Sequence, residues 1–226
     1  MEITYYGHSC FNLAINGQQV LLDPFISGNP LAQSIDVASL KPDFILLSHG
    51  HGDHVGDTLL IASNSNCQII ATFEVGNWLI NAGASKVEQM NHGGSKDFDF
   101  GKLKLVNAIH SSSMPHGSYG GNPCGFVIQT REQTLYYSGD TALTYDMKLI
   151  GEEFKIDLAF LCMGDHYTMG VDDALRAADF VKTKKIIGMH YDSFPPIEIN
   201  HQQAVSKASA QSKELFLLEI GQTITF

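Results

Sequence analysis

Residues 48 to 54 read Ser-His-Gly-His-Gly-Asp-His, so His49, His51, Asp53 and His54 put three imidazoles and one carboxylate within six residues. Neutral imidazole and carboxylate are ligands for first-row divalent metals, and a run this dense points to a metal site rather than a polar loop. His49 and His51 are two apart, so an extended backbone aims them the same way. Gly50 and Gly52 are expected to permit a tight backbone that brings Asp53 and His54 round to a second metal.

Three more candidates lie far along the chain. His110 follows Asn107-Ala108-Ile109, Asp140 follows Ser138-Gly139, and His190 follows Gly188-Met189. Each sits at the end of an apolar run, as His49 does. Alone, His110 or His190 would read as a structural histidine; beside the cluster they read as ligands. Strand ends converging on one rim are what a two-metal site requires, and α/β sites usually form at the carboxyl ends of strands.

The elements that must position them are legible as apolar runs. Strands are predicted at 3–6, 10–15, 19–22, 43–47, 68–72, 102–109, 125–129, 134–138, 158–162, 185–189, 215–218 and 224–226. Asn16-Gly17 between two of these runs predicts a tight hairpin. Helices are predicted over 55–64, 74–82, 172–182 and 201–212. Residues 172–182 begin acidic and end near Lys182, Lys184 and Lys185, which suits the helix dipole. Hairpins come first and strand–helix alternation later, so the fold class is α/β: packed sheets with outer helices. No linker or internal repeat divides the chain, and one domain over 1–226 is expected.

Composition narrows the function. The 226 residues carry 14 Lys plus Arg against 24 Asp plus Glu, a net charge of −10. That disfavours nucleic acid and anionic membrane surfaces, which select basic faces. A small-molecule substrate is the expected partner, with self-association open. No apolar run approaches the roughly 20 residues of a membrane span. The start, Met1-Glu2-Ile3-Thr4, has no secretion-signal pattern. Cys10, Cys67, Cys124 and Cys162 show no Cys-x-x-Cys spacing and read as buried free thiols, so a cytoplasmic location is expected.

The His-x-His-x-Asp-His run, followed in order by His110, Asp140 and His190, resembles the signature of the metallo-β-lactamase fold superfamily. Gly7-His8-Ser9, Asp23-Pro24-Phe25, His110-Ser111-Ser112-Ser113, Gly164-Asp165-His166-Tyr167 and His190-Tyr191-Asp192-Ser193-Phe194-Pro195 are similar to the small bacterial metal-dependent hydrolases related to the L-ascorbate-6-phosphate lactonases. The resemblance covers nearly the whole chain. It implies a four-layer αβ/βα sandwich of two mixed β-sheets with outer helices, the metals lying at one edge.

By the same resemblance, His49, His51 and His110 bind one metal, Asp53, His54 and His190 bind the other, and Asp140 bridges both. Asp53, His54 and Asp140 are assigned the catalytic role. Two divalent ions per chain are implied; zinc is the first choice, with manganese or iron also suited. A bridging hydroxide would attack a lactone, ester or amide carbonyl, the phosphodiester being the alternative within the class. A non-catalytic metal- or ligand-binding protein on the same scaffold is the rival outside it. Redox relatives carry a carboxylate where His51 stands, which favours hydrolysis.

Four residues remain beside the ligands. Asp23 is expected to accept a hydrogen bond from a ligand histidine, or else to form the turn before Pro24. His8 is expected to line the substrate pocket, or to be a core or surface histidine. Asp165 and His166 are candidates for touching substrate or supporting a ligand. His116 is a polar loop candidate. His92, His201, Asp97 and Asp99 read as surface residues. The glycine-bearing stretch 111–122 is expected to be mobile and to cover the site.

Overall fold

The computed structural model describes residues 1–226. Fourteen strands form two seven-stranded mixed sheets. In the first, β1 (Glu2–Gly7), β2 (Cys10–Ile15) and β3 (Gln18–Leu22) form an antiparallel meander. β4 (Phe44–Leu46), β5 (Gln68–Thr72) and β6 (Val87–Met90) continue it in parallel, and β14 (Thr223–Thr225) closes the β1 edge. The second sheet repeats the plan. β7 (Ser95–Phe98), β8 (Gly101–Asn107), β9 (Cys124–Gln129) and β10 (Thr134–Tyr137) are antiparallel. β11 (Leu158–Cys162), β12 (Lys185–Met189) and β13 (Glu214–Phe216) then follow in parallel.

The period-two pattern explains the layers. Along β3 and β4, Val20, Leu22, Phe44 and Leu46 enter the larger core, which also takes Phe126, Tyr137 and Phe160 of the facing sheet. The intervening Leu21, Ile45 and Leu47 enter a second core with Ile61, Val75 and Leu79. Those three belong to α2 (Thr58–Ser65) and α3 (Phe73–Asn81), which cover the outer face of the first sheet. α4 (Asp146–Glu153), α5 (Val171–Phe180) and α6 (His201–Ala210) lie with the second. Strands buried on both faces therefore read as unbroken apolar runs. The result is the expected α/β sandwich, helix layers outside two facing sheets.

β1, β3 and β4 run in one direction, as do β8, β10, β11 and β12, so the site-bearing segments leave the carboxyl ends of their strands. The Asn16-Gly17 hairpin forms as expected, both residues having positive φ (51° and 80°).

Several boundaries differ from expectation. The helix expected over 55–64 is split into α1 (Gly52–Val55) and α2. At the break, Gly56 adopts φ 36°, and a Cβ there would lie 2.4 Å from the Pro24 carbonyl oxygen. The Asp57 carboxylate accepts hydrogen bonds from the Ile26 and Ser27 amides, tying the break to the turn after β3. β8 ends at Asn107, and Ile109 is exposed. β6, β7 and α4 were not legible: β6 and β7 are short and little buried, and α4 buries only Met147, Ile150 and Gly151.

Candidate metal centre

Seven side chains from four strand ends meet at the rim. His49 leaves β4 and is fully buried; His51 follows in extended backbone (φ −61°, ψ 148°). As the spacing requires, their rings approach: His49 Nε2 is 3.0 Å from His51 Nδ1. His110, past the end of β8, closes the group, its ring centroid 5.3 Å from that of His49 and 5.2 Å from that of His51. One ligand atom from each of the three lies within 4.8 Å of the others, close enough to share an ion.

The turn toward Asp53 and His54 is made by α1, not by glycine conformation. Neither Gly50 nor Gly52 has positive φ, which corrects the expectation for both. Gly50 answers to close approach instead, since a Cβ there would lie 2.6 Å from Met114 Sδ. His8, Asp53, His54 and His190 form a second group within the same reach, and His49, His54 and Asp140 a third that links the two.

Asp140 is the linking residue. Its Oδ2 stands 2.9 Å from His190 Nε2, 3.2 Å from His54 Nε2, 3.6 Å from His110 Nε2 and 4.0 Å from His49 Nε2. Its Oδ1 is buried without a hydrogen-bond partner, as is His54 Nε2. Buried polar atoms are normally satisfied, so two orphans set among imidazoles suit a cation. The donor set therefore fits divalent metal.

Behind this cluster lies Asp23, in contact with His54. It is fully buried at the end of β3 with φ 38°. Its Oδ2 takes the His54 Nδ1 proton at 2.8 Å, the Ser48 hydroxyl at 2.6 Å and the Tyr137 hydroxyl at 2.7 Å, and its Oδ1 accepts from the Ser48 amide. Ser48 Oγ in turn lies 3.0 Å from His49 Nδ1. One carboxylate thus orients a histidine of each group and leaves their Nε2 atoms facing inward. Ser48 and Tyr137 were missed from sequence. Ser48 borders the histidine run, a usable signal; Tyr137 is an ordinary strand residue by type.

The electrostatics divide the histidines. Burial lowers His49, His51 and His110 below the ordinary value, so their imidazoles are neutral and free to accept a cation. His8 is lowered to about 4 by burial, with His190 beside it. Burial alone would also lower His54, but the Asp140 and Asp23 carboxylates outweigh it and raise it well above 6.5. Burial would raise Asp140, yet His190 and His54 hold it well below the carboxylate range.

The other candidates fall elsewhere. Asp165 is exposed and lies against Gly170, lining a cavity of about 390 Å³ with residues of α5 and α6. His166 packs edge-on against Tyr167. Neither joins a ligand group. His116 stacks on Trp78 and accepts its indole proton at 3.3 Å. His92 lies 2.8 Å from the Pro123 carbonyl and His201 pairs with Asp192. Asp97 and Asp99 are exposed at the β7–β8 hairpin. The 111–122 stretch touches the histidine loop: Ser112 Oγ accepts from the Gly50 amide, and Ser111 Oγ lies 3.3 Å from His51 Nε2.

A model of the β-lactamase superfamily domain matches residues 2–190, which contain all seven of these side chains. The chain belongs to the β-lactamase superfamily. Within it, the chain is 51% identical over 224 residues to a UPF0173 metal-dependent hydrolase of Flavobacterium johnsoniae, covering 99% of each. It is 44% identical over 230 residues to one from Bacillus cereus, covering 100% of both. Among solved structures, Igni18, a metallo hydrolase from the archaeon Ignicoccus hospitalis, superposes with a TM-score of 0.90 at 31% identity, over 100% of this chain and 97% of that one. A superfamily metal-dependent hydrolase accounts for the fold and for the cluster of metal-ligand side chains. No helix is long and apolar enough to cross a membrane.

Proposed function

We propose that this protein is a binuclear hydrolase of a small carbonyl substrate, such as a lactone, ester or amide. The observation that carries this is the placing of Asp140, whose Oδ2 lies within 4.0 Å of histidines from both groups while its Oδ1 stays buried and unpaired. In this reading His49, His51 and His110 hold one ion, Asp53, His54 and His190 hold the other, and Asp140 holds both. Two divalent ions held there would supply an acidified water, its pKa lowered to about 7, and would stabilise negative charge developing on a substrate oxygen. Zinc is the first candidate, and manganese or iron also suits nitrogen and oxygen ligands.

The protein's own contribution is order and access. The Asp23–His54 and Ser48–His49 contacts fix two ring orientations before any ion arrives. His49, His54, His190 and Asp140 are buried, while His51, Asp53 and His110 are partly exposed, so substrate enters from that side. The reducing cytoplasm is the proposed location, consistent with four free, buried cysteines. The net charge of −10 supports a small substrate over nucleic acid.

The test is a panel of lactones, esters, amides and phosphodiesters, run on metal-loaded and chelator-stripped protein. Turnover of a carbonyl substrate that disappears on stripping and returns with metal supports the proposal. Turnover confined to phosphodiesters selects the alternative chemistry. Full turnover after stripping, or bound metal with no turnover on any class, contradicts it.

A further inference from the structure

One imidazole beyond those seven reaches the same space. His8 leaves the carboxyl end of β1 in left-handed backbone (φ 56°) and is 1% exposed. The His190 amide donates to the His8 carbonyl at 2.8 Å, joining the ends of β1 and β12 across the two sheets. The His8 ring centroid is 4.2 Å from that of His190 and 5.5 Å from that of His54. Phe25 and Phe194 wall its other sides, at 5.5 and 5.7 Å.

Its two nitrogens have different surroundings. Nδ1 lies 3.0 Å from Ser193 Oγ. The Ser193 hydroxyl donates to the Tyr191 carbonyl at 3.3 Å. A hydroxyl has one proton, so Ser193 then accepts from His8 Nδ1–H, and the lone pair is left on Nε2. That Nε2 is buried and has no hydrogen-bond partner, although Asp53 Oδ2 stands 3.3 Å away. The proximity is not a hydrogen-bond alignment.

His54 shows the same pattern. Its Nδ1 is tied to Asp23, and its Nε2 is orphaned 3.2 Å from Asp140 Oδ2. Two ligand atoms that each bind one ion at about 2.1 Å stand about 3.0 Å apart on an octahedral edge and about 3.4 Å apart on a tetrahedral one. Both separations fall in that interval. The ligand atoms of His8, Asp53, His54 and His190 all lie within 4.8 Å of one another.

We propose that His8 is a metal ligand, the fourth terminal one of the half-site formed by Asp53, His54 and His190. This rests on the two-ion reading above. It makes the site asymmetric: the half-site containing His8 is more saturated and more deeply buried. The open positions then belong to the His49–His51–His110 side, where His51 and His110 are partly exposed. A polar group of the substrate is taken there.

The test is cobalt(II) reconstitution of the full-length metal-free chain as wild type, His8→Ala and His8→Gln. Uptake is followed by chelator competition and by the visible absorption of cobalt. The wild type takes two equivalents. In His8→Ala one of the two equivalents, held at the His49–His51–His110 side, is unchanged, which also shows that the fold is intact. The second weakens by about 10- to 100-fold with an altered spectrum, and added imidazole restores it. His8→Gln, which keeps a buried amide donor but offers a poor ligand for cobalt, behaves like His8→Ala without imidazole. Wild-type affinity and spectrum for the second equivalent in either variant overturn the proposal and leave the two-ion reading standing. One equivalent in the wild type overturns both.

Discussion

Asp23 and His54 meet at 2.8 Å with no solvent on either side chain, and three further hydrogen bonds from Ser48 and Tyr137 converge on the same carboxylate. The pair joins the end of β3 to the histidine run. It fixes His54 Nδ1 as the donor and turns Nε2 toward Asp140. Position and protonation of a proposed ligand are thus set by a residue outside the groups that could hold an ion.

Asp23→Asn keeps the size of this side chain but replaces one acceptor oxygen with an amide donor that faces other donors. Metal affinity is expected to fall by about 10- to 100-fold with the fold retained. Asp23→Ala leaves His54, Ser48 and Tyr137 without their acceptor, and the metal-free protein is expected to lose about 3–5 kcal/mol. Chelator competition and urea unfolding measure the two effects. Unchanged affinity in Asp23→Asn would show that His54 is oriented by something else.

Gly139 precedes Asp140 at φ 58°, and a Cβ there would stand 2.5 Å from the Cys124 carbonyl oxygen. Both the conformation and the close approach exclude a side chain. Gly139→Ala is expected to cost about 1–3 kcal/mol and to displace Asp140, so metal uptake falls with stability. Gly52→Ala, in the middle of the histidine run, meets nothing within 4 Å and is expected to be tolerated. Parallel melts and metal analysis of the two variants check the contrast; equal effects would contradict it.

The metal-free site holds a proton at His54, raised well above 6.5 because the pull of Asp140 and Asp23 exceeds the cost of burial. His49 is lowered by burial and is already free to bind. Entry of an ion must expel the His54 proton. Apparent affinity therefore rises with pH, by about tenfold per unit for one proton released, across about pH 6 to pH 8. Zinc titration against a chromophoric chelator at several pH values reads the slope. A flat profile would mean that His54 binds no ion or carries no proton.

Residue types and strand ends were legible because parallel strands buried on both faces are unbroken apolar runs. Ile45 and Leu47 face one core while Phe44 and Leu46 face the other, so β4 announces itself, and the histidines follow it directly. Asp23 could be expected to meet a histidine of the run because it ends such a strand, and it meets His54. What was not legible depends on contacts between distant segments. The split of α1 from α2 comes from the approach of Pro24 to Gly56. The reason for Gly50 lies in Met114, and the place of His8 is set by β12 and Ser193. Short edge strands such as β6 and β7 carry too little apolar pattern to be distinguished from loop.

The proposal that Asp140 holds two ions together is tested most directly by elemental analysis of reconstituted wild type beside Asp140→Ala in chelator-free buffer. About two equivalents of zinc, manganese or iron per wild-type chain, falling sharply in the variant, are expected. Fewer than about half an equivalent in the wild type, or two retained in Asp140→Ala, would contradict the account.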